Sequence, residues 1–537
     1  MPGETKETLK RNVKPKDPDS IQFAGDFNLN AVVIQNHRGE GVLPESGGEN
    51  ILPQMLELNI YESINKKAIT GSIVIVDATN LISNLPIQGT ERILFKLSTP
   101  GAQDDIETSV DASELTGHPF YVYKISNRKL DSAGVLTYTL HFGSREFMRN
   151  LRTKVSKAYS GTIDRMVAQI FSDKNGLDSR KIINLEETRN QDKVVIPNMR
   201  PLDAIDMLAR RALPKNTNGV GYYFYETTKG FHFRSWESMC VSQGAFSRPV
   251  KATFQVKPAN MEAPESSNAG KGPSTTQRVR SGQRGTQPVQ PKIIEDYEAV
   301  EEYSFMNNFH DVAANTAIGT YGHNVITHNI YNKSYKETTW NYHEEFGLTK
   351  HSEDKTDEPA GNKFQVTSTP VDFDQNSVSD YPNSRVSLLG TTQYLHNDDT
   401  GAYGIDVEQD GRLEGIRISQ QAQVGAGTRL HLVVKGQSYL QAGDMIQFNL
   451  LSVESTNSNR FDFDPHYSGR YIVANLRHRV TDTDYKMILE CVKDSVKTPL
   501  GSDDTFPGET EKENATFVDI YEKESAIAPI SFNGDTI

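Results

Sequence analysis

From about residue 21 the hydrophobic positions recur with period two. Leu56, Leu58 and Ile60 alternate with Glu57 and Asn59, and Ile93, Phe95 and Leu97 occupy every second position. Leu136, Tyr138, Leu140 and Phe142 alternate with Thr137, Thr139 and His141, and residues 71–77 (GSIVIVD) form a short, continuously apolar run. Successive strand side chains point to opposite faces, so these patterns predict strands with one face in a core. Gly, Pro and Asn breaks at short intervals suggest an antiparallel barrel over residues 21–145.

The period then lengthens. Ile163, Met166, Val167, Ile170 and Phe171 fall on one helical stripe, with Ser160 or Thr162 placed to cap it. A second stripe (Leu202, Ile205, Leu208, Ala209, Ala212) starts at Pro201, a residue suited to the first helical position, and Pro214 stops it. Residues 222–226 and 231–236 read as a hairpin joined through Thr227, Thr228, Lys229 and Gly230, with Gly supplying a positive φ. Residues 146–257 therefore form an α/β unit between two β regions.

Residues 258–292 are rich in Pro, Gly, Ser, Thr and Gln, a composition expected of a flexible linker. A short helix is expected near 311–318 and a strand near 324–330, before polar, turn-rich sequence that runs to about 410. Strands return with Leu430, Leu432 and Val434, with Ile446, Phe448 and Leu450, and with residues 471–475 and 485–492 paired across a turn at 481–484. The chain thus divides into an extended arm (1–20), a first barrel (21–145), the α/β unit (146–257), the linker (258–292), a second barrel (293–497, with an insertion around 345–410) and a C-terminal tail (498–537). The fold class is β-rich α+β, two antiparallel β-barrels with an inserted α/β domain, the two β regions being either separate barrels or halves of one.

Composition narrows the function. Of 537 residues 36% are hydrophobic, which predicts thin cores and long polar connections. Lys and Arg number 57 against 70 Asp and Glu, a net charge of −13 that argues against a general polyanion binder. Residues 501–537 carry nine acidic and two basic residues, a local charge of −7, so the remaining chain is nearer neutral. The two cysteines, Cys240 and Cys491, lie far apart, with no metal or disulfide spacing. The first residues lack the apolar core of a secretory signal, and no apolar run is long enough to span a bilayer, so no membrane anchor is expected.

Candidate chemistry is sparse. Asp406, Glu408 and Asp410 followed by Gly411 match the first half of a calcium loop, but Arg417 stands where the bidentate Glu belongs, and an Asp-Gly turn is the plainer meaning. Asp462, Asp464 and His466 put two carboxylates near an imidazole in a Pro-bearing loop, again a turn composition. His323 and His328 are five apart, and His343 has no partner at metal spacing. Gly425 and Gly427 lack the third Gly and the Lys of a phosphate cradle, and Cys240 has no nucleophile setting. The five basic residues between 271 and 292 are not interleaved with aromatics, as a single-strand binder's would be. No cofactor, metal or catalytic residue is assigned.

Five segments carry a family resemblance. Residues 56–100 resemble the first barrel of the baseplate hub proteins of contractile-tailed phages, through Ile60, Tyr61, Glu62 and Ser63, Thr70, Gly71 and Ser72, Asp77, and Pro86 followed by Gly89 and Glu91. Residues 136–171, with Ser144 and Glu146, are similar to the family's next segment, and residues 200–239, opening at Pro201, to its helix-then-hairpin unit. Residues 429–448, with Gly443 and Asp444, and 468–494, with His478 and Asp494, resemble its second barrel. The hub part of type VI secretion spike proteins belongs to the same broad group. Residues 258–292, 345–410 and the acidic tail depart from the pattern.

The resemblance implies a non-enzymatic structural protein of the virion, made and assembled in the host cytoplasm and placed in the tail baseplate. It implies a homotrimer whose paired barrels make a pseudo-sixfold ring, joined to the tail tube protein on one face and to a trimeric central spike protein on the other, among other baseplate proteins. DNA would pass through the lumen without sequence-specific binding. The rivals are a tail-associated peptidoglycan hydrolase using Asp462 and Asp464, a glycan-binding adhesin using exposed Tyr and Phe, and the hub of a related injection or secretion system.

Overall fold

The computed structural model describes residues 24–36, 38–39, 48–78, 81, 87–100, 109–113, 118–130, 134–189, 191–216, 219–240, 250–256, 296–307, 312–329, 333–354, 378–391, 395–397, 402–404, 415–418, 428–452 and 463–496. The arm, the linker and the acidic tail fall outside these residues, as do the 406–411 run, Asp462 and the 425–427 glycines.

The first β region contains β1 (Asn28–Gln35), β2 (Glu49–Asn50), β3 (Met55–Ser63), β4 (Thr70–Asp77), β5 (Arg92–Ser98), β6 (Ser109–Asp111), β7 (Phe120–Leu130) and β8 (Leu136–Gly143). They pair in the order β3-β4-β8-β7-β5-β1-β2, with β6 on β5. Most of the period-two residues lie inside: Leu58, Ile60, Ile73, Ile75, Ile93, Phe95, Leu97, Tyr138, Leu140 and Phe142 are all buried in one core. Leu56, expected with them, is exposed, because a register shift between Met55 and Glu57 puts Met55 in the core instead. Gly71 lets the strands close. A Cβ there would overlap the Phe142 ring and lie 2.5 Å from the Asn59 carbonyl oxygen.

The α/β unit follows as α1 (Arg145–Arg152), β9 (Val155–Gly161), α2 (Ile163–Ser172), β10 (Ile183–Leu185), β11 (Asp192–Met199), α3 (Pro201–Ala209), β12 (Tyr222–Thr227), β13 (Gly230–Ser235) and α4 (Trp236–Cys240). The expected stripes of α2 and α3 pack together with Phe224, Phe231 and Phe233 of the β12–β13 hairpin. Thr162 does occupy the N-cap of α2, but its side chain makes no capping bond. Thr188 does this instead: its hydroxyl accepts from Asp164 N–H (3.2 Å) and donates to the Asp164 carboxylate (2.7 Å). A residue distant in sequence has taken over a local role.

The second β region comprises β14 (Ala252–Gln255) and β15 (Val300–Asn307), then, after an inserted unit, β21 (Thr428–Lys435), β22 (Met445–Asn449), β23 (Gly469–Thr481) and β24 (Tyr485–Lys493). The order is β15-β21-β24-β23-β22-β14, and a bridge between Gln255 and Ala299 returns β14 to the start of β15. All pairs in this ring are antiparallel except β14·β22 and that bridge. The 13-residue β23 bonds β22 along its first half and β3 along its second, from Asn475↔Ser63 to Thr481↔Glu57. A register shift between Val473 and Asn475 marks the changeover, the kind of bulge that bends a strand toward a new partner. The two β regions are thus barrels fused through β3·β23, and one apolar cluster runs through both.

The inserted unit holds α5 (Val312–Ile318), β16 (Gly322–Asn329), β17 (Ser334–Asn341), α6 (Tyr342–Glu345), β18 (Val386–Thr391) and the short pair β19 (Leu395–Asn397) and β20 (Ala402–Gly404). Strands β17-β16-β18 form a sheet of their own within the stretch between β15 and β21. Its buried face carries His323, Val325 and Thr327, while Tyr335, Val386 and Leu388 are exposed. This mixed pattern gives no clean alternation, which is why β17 and β18 are not announced by the sequence.

Candidate functional site

The buried polar residues gather where the two barrels, the α/β hairpin and the inserted unit meet. The hairpin's two-residue tip, Thr228–Lys229, sits between β12 and β13, and Gly230 (φ +133°) makes the turn. Glu62 shares the inward face of β3 with Leu58 and Ile60. Its carboxylate accepts from Thr228 N–H (2.8 Å) and from Ala442 N–H (2.9 Å), so one side chain of the first barrel holds both the hairpin tip and a loop of the second barrel. Lys229 donates to the carbonyls of Ser109 (2.6 Å) and Ser438 (3.1 Å), bridging the same two barrels. Ser438 and Thr99 bond reciprocally through backbone and hydroxyl groups. A cavity of about 160 Å³ lies beside the tip, lined by Ile69, Val110, Phe120, Lys181 and Lys229 among others.

The electrostatics fit a sealed joint. Burial pushes the Glu62 carboxyl up. His478, also inward-facing, has Nδ1 2.7 Å from the Tyr485 hydroxyl and Nε2 3.9 Å from Glu62. Burial, with the nearby charge of Lys229, holds the imidazole down at about 3, so it is neutral. Asp444 accepts from Gln441 N–H (3.1 Å), and the backbones of Gly443 and Asp444 bond to Val473 (2.8 and 2.9 Å). Gly443 adopts φ +83° under the Tyr225 ring, where only Gly fits.

A second node lies behind the hairpin. Ser144 caps α1 and donates to Glu226 (2.6 Å), which also accepts from Ile69 N–H (2.9 Å). Lys181 lies 2.5 Å from Glu226 and 3.0 Å from Glu146, and Ser179 donates to Glu146 (2.7 Å). Burial acts to lower the Lys181 pKa, but the two carboxylates raise it to about 12. Pro201 opens α3, whose Leu202 N–H is met by the Asn150 side chain (2.9 Å).

The third node clasps the inserted unit. Asp494 accepts from Trp236 Nε1 (2.9 Å) and Ser352 N–H (2.8 Å), and its Oδ2 lies 3.0 Å from His351 Nδ1. Burial alone would raise this carboxyl, yet His351 and the two N–H donors hold it well below the usual range. Beside it, the fully buried Lys493 lies 3.0 Å from Glu353, and Glu237 accepts from Lys350 N–H (2.7 Å). Residues 349–354 are therefore threaded between α4 and the mouth of the second barrel.

The remaining family-motif residues lie in the first barrel. Glu91 accepts from the N–H groups of Gln88, Gly89 and Thr90 (2.6, 2.8 and 3.0 Å), with Gly89 at φ +96°. Asp77 accepts from Leu81 N–H, Ser63 from Asn65 N–H, and the Tyr61 ring lies 5.8 Å beneath the Arg477 guanidinium. Glu226, Lys181, Trp236 and His351 were not singled out by sequence reasoning. For Glu226 a signal existed, because it follows Phe224 on the core-facing side of its strand.

The chemical candidates are dispersed. Asp464 accepts from His466 and Tyr467 N–H (2.9 and 2.7 Å), a turn. His323 is buried, held down to about 4 by burial, while His328 is exposed on the same strand. Cys240 and Cys491 are buried. Among the described residues no group of His, Cys, Asp and Glu is arranged to hold a metal ion, and no helix is long and apolar enough to cross a membrane.

No protein-family model matches the sequence. The probable baseplate hub protein gp334 of Vibrio phage KVP40 is 19% identical over 444 residues, covering 82% of this chain and 90% of that protein. Similar solved structures include the 43 kDa tail protein of prophage MuSo2 from Shewanella oneidensis (9% identity, 87% of this chain and 99% of that one, TM-score 0.45). A tail protein from Neisseria meningitidis MC58 is also similar (8% identity, 86% and 96%, TM-score 0.44). So is the E. coli c3393 protein, a component of the type VI secretion system (8% identity, 82% and 73%, TM-score 0.36). Along most of its length the chain resembles the baseplate hub proteins of contractile-tailed phages.

Proposed function

We propose that this protein is a structural, non-enzymatic baseplate hub of a contractile phage tail. Three copies assemble as a ring in which six barrels present pseudo-sixfold symmetry. One face of the ring meets the hexameric tail tube, the other a trimeric central spike, and the hole between them is part of the genome's path. The observation that carries this reading is the β3·β23 pairing, which turns two barrels into one rigid plate.

The outward face of that plate supports a conduit role. It runs through the partly exposed Arg429, His431, Lys435, Lys486, Glu490, Asn475, Arg477, Arg479 and Glu57 and on to His141, while Asn59, Ser72 and Thr139 on the same face are buried. Its cations are paired: Arg429 with Glu490 (2.5 Å), Arg477 and Arg479 with Glu57 (2.9 and 3.0 Å), Lys435 and Lys486 with Glu301 (2.6 and 2.7 Å). Paired cations hold few phosphates, so a duplex can slide past. Native mass spectrometry of the chain, alone and with the spike and tube proteins of the same phage, tests the proposal. Complexes with three copies of this chain are expected. A monomer in every mixture, or cell-wall lysis abolished by Asp464→Asn, would overturn it.

A further inference from the structure

The β9·β11 ribbon presents an outer face that the barrel plate does not use. Lys193 pairs with Ser160 and Val195 with Ala158 across it. Val195, 72% exposed, stands at its centre among small residues. Met199 pairs with Val155, so the next antiparallel step sets Arg200 opposite Lys154, two residues from Arg152. Arg152, Lys154 and Arg200 are exposed, and none lies within 4.0 Å of a described carboxylate. The α/β stretch 145–216 carries net +6 in a chain of net −13. The surface therefore combines an apolar centre with a cationic end.

One segment of this chain has the complementary pattern. Within the acidic tail, residues 517–524 read Phe-Val-Asp-Ile-Tyr-Glu-Lys-Glu, apolar residues interleaved with Asp519 and Glu522. From Val496, the last described residue, 21 residues lead to Phe517, enough to span up to about 70 Å. We propose that residues 517–524 dock on the outer face of the β9·β11 ribbon, with Phe517, Val518 and Ile520 covering Val195 and the two carboxylates meeting Arg152, Lys154 and Arg200. The tail then acts as a built-in anionic occupant of a surface that would otherwise attract other polyanions.

Amide exchange on the full chain tests this directly. Residues 152–160 and 193–200 are expected to exchange several-fold more slowly in the wild type than in Asp519→Lys/Glu522→Lys, with the difference shrinking in high salt. Both reversed residues lie outside the described residues, and an unchanged melting temperature of the variant checks that global folding is preserved. Adding Arg152→Glu/Lys154→Glu to that variant should restore the protection. Equal exchange in the wild type and the tail variant would overturn the proposal, as would protection that the compensating reversal fails to restore. Strong protection of the same residues by duplex DNA in the wild type would instead assign the surface to nucleic acid.

Discussion

The barrel plate and the inserted unit secure β-structure by opposite means. In the plate, strands bury aliphatic and aromatic side chains in one continuous core, and polar residues fill mostly the outer face. In the inserted unit the apolar clusters are small: Tyr321, Tyr342 and Phe346 form one, and Trp340 and Ile416 pack against Leu213 and Val220 of the α/β unit in another. Its attachment to the second barrel passes instead through the buried charges and hydrogen bonds of residues 349–354. The plate is non-directional in its energetics and tolerant of small shape changes, whereas the clasp depends on particular partners. That difference predicts distinct failure modes.

The largest effect is expected in the plate, at Gly71→Val. The new side chain must displace both Phe142 and the Asn59 backbone of a paired strand, a harsher insult than the about 1–3 kcal/mol of ordinary overpacking. The variant should fail to yield the cooperative melt of the wild type. An unchanged melting temperature would mean that β4 packs elsewhere.

Asp494→Ala comes next and should act locally. Removing this buried carboxylate leaves His351 Nδ1, Trp236 Nε1 and Ser352 N–H without their common partner, at a cost of about 3 kcal/mol. Proteolysis within 346–354 should accelerate strongly while exchange in β3 and β23 stays slow. If both regions loosen together, the inserted unit and the plate are one cooperative body.

These two sites differ in how openly the sequence announced them. The main strands of the plate were legible because period two and aliphatic content agreed, and α2 and α3 because their stripes were unbroken, whereas the short α1, α4 and α6 carry no such stripe. The nodes were legible only through resemblance, although a physical signal was present. Glu62 follows Leu58 and Ile60, and His478 falls between Leu476 and Val480, so each charged or polar residue occupies a slot that alternation reserves for the core. Such a residue must be bonded by something, and the sequence cannot say by what. The partners, Thr228, Ala442 and Lys229, arrive from far along the chain. The same distance explains Thr162, whose capping role passed to Thr188.

Glu62→Gln sharpens the comparison from the plate's side. The amide keeps one acceptor but turns an NH2 toward a backbone N–H, leaving a buried donor unmet at about 2 kcal/mol. Acid should then separate the two regions by sign. Asp494 is depressed in the fold, so its contribution is complete above its unfolded pKa near about 4 and is lost as pH falls toward the folded value. Glu62 is raised, so the fold binds its proton more tightly than the unfolded chain does, and lowering pH through that range adds stability. Melting curves between pH 6 and pH 3 should show the gap between the wild type and Asp494→Asn closing. The gap to Glu62→Gln should move in the opposite direction or hold. Parallel movement of both would mean that one of the carboxylates is not buried as described.

The smallest effect is expected on the plate's outer face, at Arg479→Ala. Arg479 and Arg477 share Glu57, and all three side chains are partly exposed, so water screens the pair. Losing Arg479 should cost under about 1 kcal/mol, and Arg477 keeps Glu57 compensated. The substitution removes one positive charge from the face proposed to line the conduit without touching the β3·β23 backbone ladder. Thermal stability and copy number should therefore remain those of the wild type, and the salt dependence of any residual duplex binding should stay the same, because Arg479 is already engaged by Glu57. A marked fall in melting temperature would show instead that the joint between the barrels relies on this ion pair, and that the plate resembles the clasp more closely than its continuous core suggests.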